Sequence, residues 1–340
     1  MQRRLAVLAL ALGASIGNPA AAAQEVTLKI AHFLPSAAAA QQMVLEPWCA
    51  TLAQESSGRI GCQIYPAMQL GGTPGQLADQ ALRGVADIVW TAPGYSAGRF
   101  PAIEAMELPF VVRDAASGSR AAWNFYEQYA QQEFSKYKVL AVHVDGGVAL
   151  HTSKQAIASL EDFKGLKLRT PTRMASKTLA ALGGEPVSMP PGQVTEAISK
   201  GVVDGAMGAW EVVLPTKLDE VTKYHTQPAA GQAYPAATVL VLLMNRQKYD
   251  GLAPDLKAVI DRNSGPALVE RFGKVWDDVA AQTQAKVRAA GGQVVDISEA
   301  DLSAMKNAAR AVDTEWRAEM DKKGLDGTKL SEAAHALARQ

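Results

Sequence analysis

Arg169 is the residue of this sequence best suited to bind an anion. It ends the apolar segment 166–169 and stands before the turn 170–172, which contains a proline. If that strand end faces a cleft between two lobes, burial removes water from the guanidinium, which then holds a carboxylate through two parallel hydrogen bonds. Taken alone, the pattern is more typical of a surface arginine, and the glycine-containing segments 183–190 and 201–205 favour a binding site.

A second candidate for chemistry is a serine between two glycines. Residues 94–98 read Gly-Tyr-Ser-Ala-Gly, which matches the nucleophile elbow of serine hydrolases. Asp204 and His225 follow in the order that such an enzyme requires. Prolines flank the motif where a helix should continue, and proline inside a helix costs about 3 kcal/mol. We therefore predict a loop of a ligand cleft here, with an exported serine hydrolase using Ser96 as the alternative.

The five histidines do not form a metal-binding pattern. None belongs to an H-E-x-x-H motif or to a close pair, and the sequence has neither G-x-G-x-x-G nor a Walker loop. We therefore expect no metal, no cofactor and no nucleotide. His32 follows the first predicted strand, where α/β sheets place ligand contacts. It is a candidate binding residue, although an ordinary hydrogen-bonded histidine is equally consistent with the pattern.

The two cysteines, Cys49 and Cys62, predict a disulfide. Cys49 lies on a predicted helix and Cys62 on the strand that follows it. A helix packed on the next strand can bring two Cα atoms within the roughly 4.4–6.8 Å that a disulfide requires. Two buried free thiols are the alternative.

Composition and the first residues of the chain indicate an exported globular protein. The 340 residues include 34 basic and 34 acidic side chains and are 48% hydrophobic, which argues against a disordered chain or a nucleic-acid-binding protein. Residues 1–23 combine a basic start, a short apolar run and alanines, as a cleaved signal peptide does. No stretch has the roughly 20 apolar residues that span a membrane.

Strands that alternate with helices predict an α/β protein. The predicted strands are 26–31, 60–65, 86–90, 139–144, 166–169, 186–189, 203–208, 238–244 and 293–297. The predicted helices include one that opens at Pro35 and the long segments 115–135, 253–290 and 299–340. We predict lobe I from residues 24–147 with a return of roughly 238–275, lobe II from 148–237 with roughly 276–310, and a C-terminal helical segment over 311–340.

Five motifs, in order along the mature chain, resemble the periplasmic solute-binding subunits of tripartite ATP-independent periplasmic (TRAP) transporters, the DctP-like family. The motifs are Ser57-Gly58-Arg59-Ile60, Gln69-Leu70-Gly71-Gly72, Glu107-Leu108-Pro109-Phe110, Lys164-Gly165-Leu166-Lys167-Leu168-Arg169 and Gly201-Val202-Val203-Asp204-Gly205. The resemblance implies a two-lobed periplasmic binding protein fold, with an interlobe cleft and a long helix that spans both lobes. It also implies a protein without enzymatic activity that delivers an organic acid to a membrane permease. Arg169 falls at the family's carboxylate-binding arginine, and we expect a monomer.

The sequence departs from the sialic-acid and C4-dicarboxylate members of that family. After the Asp-Gly motif it continues Ala206-Met207-Gly208-Ala209-Trp210-Glu211, without the usual asparagine. Apolar residues at 148–150 stand where some members carry a second arginine. We therefore predict a monocarboxylate with an apolar, ring, hydroxy or oxo body, and keep a C4-dicarboxylate as the alternative.

The predicted site consists of the anion-binding arginine and the residues that would exclude water when the lobes close. Trp210 offers a flat apolar face, although it would equally suit the hinge core. The predicted ligand-binding residues are Arg169, Trp210, Tyr95, His32 and Glu211.

Overall fold

The protein contains two β-sheets, which are seen in a computed structural model that describes residues 25–340. The predicted signal peptide lies outside the described residues. The strands are β1 Val26–His32, β2 Ile60–Tyr65, β3 Ile88–Thr91, β4 Tyr137–Val144, β5 Ala149–Thr152, β6 Lys167–Thr170, β7 Glu185–Ser188, β8 Gly205–Gly208, β9 Tyr224–Pro228, β10 Val239–Asn245 and β11 Gln293–Ile297.

The first sheet has the strand order β2–β1–β3–β10–β4. β1 runs parallel to β2 and β3, whereas β10 is antiparallel to β3 and β4. Every residue of β3 and β10 is buried, because these nearly continuous apolar runs lie in the middle of a sheet that is covered on both faces.

The second sheet has the order β11–β9–β5–β8–β6–β7 and carries Arg169 on β6. β6 is parallel to β7 and β8, and β5 is antiparallel to β8 and β9. Gly205 opens β8 where β5 passes so closely that a Cβ atom would lie 2.3 Å from the carbonyl oxygen of His151. The glycine of the Asp-Gly motif therefore allows the two backbones to pair.

Eleven helices of the described chain pack on these sheets. They are α1 Glu46–Glu55, α2 Leu77–Arg83, α3 Ala115–Phe125, α4 Arg173–Ala181, α5 Val194–Ser199, α6 Trp210–Val213, α7 Arg246–Asp250, α8 Pro254–Arg262, α9 Pro266–Ala289, α10 Glu299–Lys322 and α11 Gly327–Leu337. The 24-residue α9 contacts α3 and β4 of the first half and α6 and β11 of the second. The predicted two-lobed α/β fold with a long helix across both lobes is confirmed.

Two of the long predicted helices are interrupted at glycines. The segment 253–290 divides into α8 and α9 at Gly265, whose φ of +64° is a left-handed conformation that helices do not contain. Pro266 then begins α9, a position where the missing N–H of proline has no cost. The segment 299–340 is broken in the same way at Gly324, with a φ of +78°.

The other differences from the predicted helices are changes of helix type. α3 ends at Phe125 and continues as a π-helical turn, Tyr126–Ala130, and a 3₁₀ turn, Gln131–Phe134. The helix predicted to open at Pro35 begins as a π-helical turn, Ala40–Leu45, before α1. Sequence analysis also missed β9, α6 and α7, which are five, four and five residues long.

The predicted disulfide is confirmed between α1 and β2. Cys49 and Cys62 are bonded, and their Cα atoms are 5.9 Å apart. Of the helices in residues 25–340, none has the length and apolar character that crossing a bilayer requires.

Candidate functional site

A cavity lies where loops that follow strands of the two sheets meet. Phe33, Tyr95 and Asp145 come from the side of the first sheet, whereas Arg169 and Glu211 come from the side of the second. The remaining lining residues are Leu34, Trp90, Pro171, Pro191, Gly208, Ala209, Val212, Thr238 and Leu240.

Arg169 is buried in this cavity, where Tyr95 and Asp145 act on it electrostatically. Its side chain is 4% exposed. Nε donates to the carbonyl oxygen of Met189 and Nη1 to that of Met207, each at 3.1 Å. Nη2 is buried and makes no hydrogen bond of standard geometry within residues 25–340. The guanidinium also has no ion pair with an acidic residue of the described chain.

This arrangement leaves an incomplete charge site. Carbonyl oxygens orient the Arg169 guanidinium but do not neutralise it, and burial lowers the pKa of Arg169. A buried charge is costly unless it is both paired and hydrogen-bonded. A carboxylate in the cavity would supply the missing negative charge and an acceptor for Nη2.

Tyr95 lies beside the guanidinium, in the 3₁₀ turn Pro93–Tyr95 that follows β3. Burial raises the pKa of Tyr95 to about 12, although Arg169 acts in the opposite direction. The phenol is therefore neutral at physiological pH and can donate its proton to an acceptor in the cavity.

Asp145 and Glu211 are buried acids in the same cavity, 8% and 5% exposed. Oδ1 of Asp145 accepts hydrogen bonds from the backbone nitrogens of Gly147 and Thr238, each at 3.0 Å. The Glu211 carboxyl group has no hydrogen bond of standard geometry in the described chain; the indole of Trp276 interacts with it electrostatically. Burial raises the pKa of both acids, and Asp145 further raises that of Glu211.

Flat apolar groups form the rest of the wall. The rings of Phe33 and Trp90 are stacked, with centroids 5.0 Å apart and planes 6° from parallel. Tyr95 meets Phe33 edge to face at 5.3 Å. Aromatic faces packed in this way also suit an aromatic ligand, since rings associate by offset stacking and edge-to-face contact.

Two of the predicted binding residues do not line this cavity. His32 points instead to Gln41, with Nε2 3.0 Å from its Oε1, and burial lowers the pKa of the imidazole. The Trp210 indole donates to Oε1 of Gln227 at 2.8 Å and meets His151 edge to face at 5.1 Å. Trp210 lines a neighbouring pocket that shares Asp145 with the cavity.

The residues of the alternative hydrolase are not brought together. The Ser96 hydroxyl donates to the carbonyl oxygen of Gly75 at 2.8 Å. Asp204 accepts from the backbone nitrogen of Lys167, and His225 Nδ1 lies 2.8 Å from Nδ1 of His151. Each of the three is thus engaged in a local contact in a different part of the fold.

Sequence analysis missed Asp145, Phe33 and Trp90. Each lies at the carboxyl end of a strand of the first sheet, or directly after it. That position, together with the pair Gly146-Gly147 after Asp145, is a signal the sequence carries. Among residues 25–340 we find no group of three or more histidine, cysteine or acidic side chains that could hold a metal ion.

The sequence matches the family model DctP, bacterial extracellular solute-binding protein, family 7, over residues 30–319. Its structure is similar to that of a TRAP solute-binding protein from an unidentified marine-metagenome microbe, with a TM-score of 0.91 and 40% identity over 93% of this chain and 98% of the other. That protein is specific for aromatic acid ligands and was co-crystallised with 3-hydroxybenzoate.

Two further solved structures are similar over most of both chains. A TRAP solute-binding protein from Rhodoferax ferrireducens T118, with copurified benzoate, gives a TM-score of 0.90 and 41% identity over 92% of this chain and 98% of the other. A TRAP solute-binding protein from Bordetella bronchiseptica, with bound (R)- and (S)-mandelate, gives a TM-score of 0.84 and 25% identity over 93% of this chain and 99% of the other.

Proposed function

The chain belongs to the DctP family of bacterial extracellular solute-binding proteins and is a TRAP solute-binding protein, and from this premise we propose that its ligand is a small aromatic monocarboxylate. Arg169 binds the carboxylate, Tyr95 donates a hydrogen bond beside it, and the aromatic wall around Phe33 covers the ring.

The observation that carries this proposal is the unpaired guanidinium. Arg169 is almost fully buried, two of its nitrogens are fixed by backbone carbonyls, and Nη2 makes no hydrogen bond of standard geometry in the described chain, although the Tyr95 hydroxyl acts on the guanidinium. A ligand carboxylate would add a charge-assisted hydrogen bond at Nη2 and neutralise the buried cation. Such a pair is stronger in a site without water than at the surface.

The planar aromatic wall supports a ring as the ligand body. Phe33 and Trp90, which are stacked on each other, both line the cavity, as do the aliphatic residues Leu240 and Val212. The similar proteins described above that share about 40% of this sequence were found with benzoate and 3-hydroxybenzoate. Both ligands combine one carboxylate with one aromatic ring.

The charges of the cavity favour one carboxylate over two. Among residues 25–340, Arg169 is the only cationic residue that lines it, while Asp145 and Glu211 are acidic. A C4-dicarboxylate would bring a second negative group to a site that has no second cation to receive it. We therefore do not retain the dicarboxylate alternative.

We also propose where the protein acts, which partner receives the ligand and how the lobes move. An exported chain, cleaved after the predicted signal peptide, would bind the acid in the periplasm and pass it to the TRAP permease in the membrane. The two lobes predicted from the sequence, 24–147 with 238–275 and 148–237 with 276–310, would close on the ligand, with residues 311–340 as the C-terminal helical segment. A monomer is sufficient for this cycle.

Replacement of Arg169 tests the proposal. We expect isothermal titration calorimetry to detect binding of benzoate and 3-hydroxybenzoate by the purified protein, and Arg169→Ala to weaken both. Breaking a desolvated charge pair costs about 2–5 kcal/mol, which corresponds to roughly 30-fold to several thousand-fold in Kd.

The matched control is Arg120→Ala. Arg120 lies on α3, is half-exposed and pairs with the exposed Glu270. Its removal should leave both affinities within about two-fold, since exposed ion pairs contribute little. Near-normal affinity of Arg169→Ala would contradict the site, and a wild-type protein that binds succinate but neither aromatic acid would contradict the ligand class.

A further inference from the structure

We propose that Asp145 and Glu211, here termed the carboxyl pair, form a second recognition point that accepts a hydroxyl group on the aromatic ring of the ligand and rejects a second carboxylate. This inference rests on the proposed binding of an aromatic monocarboxylate at Arg169. It assigns a substrate preference to two residues that do not contact the carboxylate.

The carboxyl pair faces the same cavity as Arg169 and forms no ion pair with it in the described chain, although Asp145 acts on the guanidinium electrostatically. Neither acid forms a hydrogen bond or ion pair with the guanidinium in the described chain. Asp145 follows β4, on the side of the first sheet, and Glu211 lies on α6, on the side of the second. A ligand held between the sheets would therefore meet the guanidinium and the carboxyl pair as separate groups.

Glu211 is the stronger part of the argument because its buried carboxyl group has few partners. It is 5% exposed and lines the cavity, and the indole of Trp276 is the one side chain of the described residues that acts on it as a hydrogen-bond donor. A carboxyl group with one donor beside it keeps unused acceptor positions. A protein that retains such a group at a binding cavity has an acceptor ready for a hydrogen on the ligand.

Asp145 adds a fixed direction and a second acid. The backbone nitrogens of Gly147 and Thr238 hold Oδ1, so the side chain cannot turn away from the cavity without losing both bonds. Burial raises the pKa of both acids, and Asp145 further raises that of Glu211, which favours a protonated carboxyl group beside an ionised one. A protonated carboxyl donates and a carboxylate accepts, and a ligand hydroxyl can do both.

The same two residues explain what the site would exclude. A second carboxylate on the ring would approach two acids, and no cationic residue of the described chain other than Arg169 lines the cavity. A hydroxyl group carries no charge and would satisfy Glu211 without that repulsion. The pair would therefore separate hydroxylated aromatic acids from unsubstituted and dicarboxylic ones.

Calorimetric titration with benzoate, the three hydroxybenzoate isomers and isophthalate tests the inference. For the wild type we expect at least one hydroxybenzoate to bind about 10-fold or more tightly than benzoate, since hydrogen bonds to charged groups are the stronger kind. We expect isophthalate to bind at least about 100-fold more weakly than benzoate.

Two variants of Glu211 separate the two effects. Glu211→Met keeps the length of the side chain but removes its polar atoms, so the hydroxyl preference should fall to about two-fold while benzoate affinity stays within about three-fold. Glu211→Gln presents an amide N–H to the ligand, so isophthalate should bind at least about 10-fold more tightly than in the wild type. If Glu211→Met does not fold, Glu211→Gln and Asp145→Asn are used to measure the hydroxyl preference and the binding of isophthalate.

Glu133→Gln is the matched control, because Glu133 is a carboxyl group outside the cavity whose pKa burial likewise raises, to about 7. It should leave all ligand preferences unchanged. Equal binding of benzoate and every hydroxybenzoate, or a hydroxyl preference that survives Glu211→Met and Asp145→Asn, would overturn the inference while leaving the role of Arg169 intact. Failure of the wild type to bind any of these acids would instead reject the proposed function.

Discussion

The guanidinium of Arg169 and the carboxyl pair lie in one cavity but are held in different ways. Two backbone carbonyls orient Arg169, and two backbone amides orient Asp145, whereas Glu211 has no partner of standard geometry in the described chain. Arg169 remains charged at any physiological pH, while burial shifts the ionisation of the two acids. From this difference we infer that Arg169 contributes an affinity for carboxylates that does not change with pH. The carboxyl pair contributes a selectivity among ligands that depends on its ionisation.

A substitution that keeps the two sheets apart should weaken the contacts of the ligand with Arg169 and with the carboxyl pair at the same time. A Cβ atom on Gly94 would lie 2.8 Å from Cγ2 of Thr172 and 3.3 Å from Oε1 of Glu107. Gly94 follows β3 and Thr172 precedes α4, so the contact joins the two sides of the cavity. Overpacking costs about 1–3 kcal/mol, and we expect Gly94→Ala to weaken benzoate and hydroxybenzoates by the same factor of about 10 or more in calorimetric titrations.

The control is a second substitution on the opposite side of that contact. Thr172→Ser removes the methyl group but keeps the hydroxyl oxygen, which accepts from the backbone nitrogen of Ala175 and caps α4. In the Gly94→Ala background it should recover several-fold in affinity. An unchanged Kd in Gly94→Ala, or a loss of affinity confined to hydroxylated ligands, would contradict the view that the ligand contacts Arg169 and the carboxyl pair together.

A change of pH should alter ligand affinity by a smaller amount, and only the carboxyl pair should produce this change. A bound anion disfavours the ionised forms of Asp145 and Glu211, so their pKa values rise further in the complex and binding takes up protons. Affinity for benzoate should therefore decrease as pH rises above the ordinary carboxyl range, by a few-fold between about pH 6 and pH 8. Titration calorimetry across this range measures the slope.

Variants identify which acid produces the slope. Asp145→Asn combined with Glu211→Gln should flatten it. Burial raises the pKa of Glu107 to about 8, so this residue could itself produce a dependence on pH, but it lies outside the cavity lining and Glu107→Gln should keep the slope. An affinity that rises with pH, or a slope that follows Glu107, would contradict the assignment.

The sheets were largely predictable from the sequence, whereas the breaks in the long helices were not. Apolar strands such as β3 and β10 have a strong local pattern because they are buried on both faces. The break at Gly265 was missed because the helical periodicity of hydrophobic residues continues on both sides of it. The signal available in the sequence was a glycine followed by a proline. Gly265 adopts a left-handed φ, which ends the first helix, and Pro266 begins the next.

The cavity was predictable only in part. Arg169 stood out because a charged residue ends an apolar strand, and Glu211 lies on the short helix that follows β8. His32 was predicted because it stands at the end of the first strand, yet neighbouring side chains at a strand end point in opposite directions, and it is Phe33 that lines the cavity. Asp145 had a local signal, its position after β4 and before Gly146-Gly147, but its place near Glu211 depends on the meeting of the two sheets, which no local pattern encodes.

A crystal structure of the protein with 3-hydroxybenzoate tests the central claim most directly. We expect a carboxylate oxygen of the ligand within about 2.7–2.9 Å of Nη2 of Arg169, the range of charge-assisted hydrogen bonds, with the ring against Phe33. A ligand whose carboxylate points away from Arg169, or one bound outside this cavity, would contradict the account.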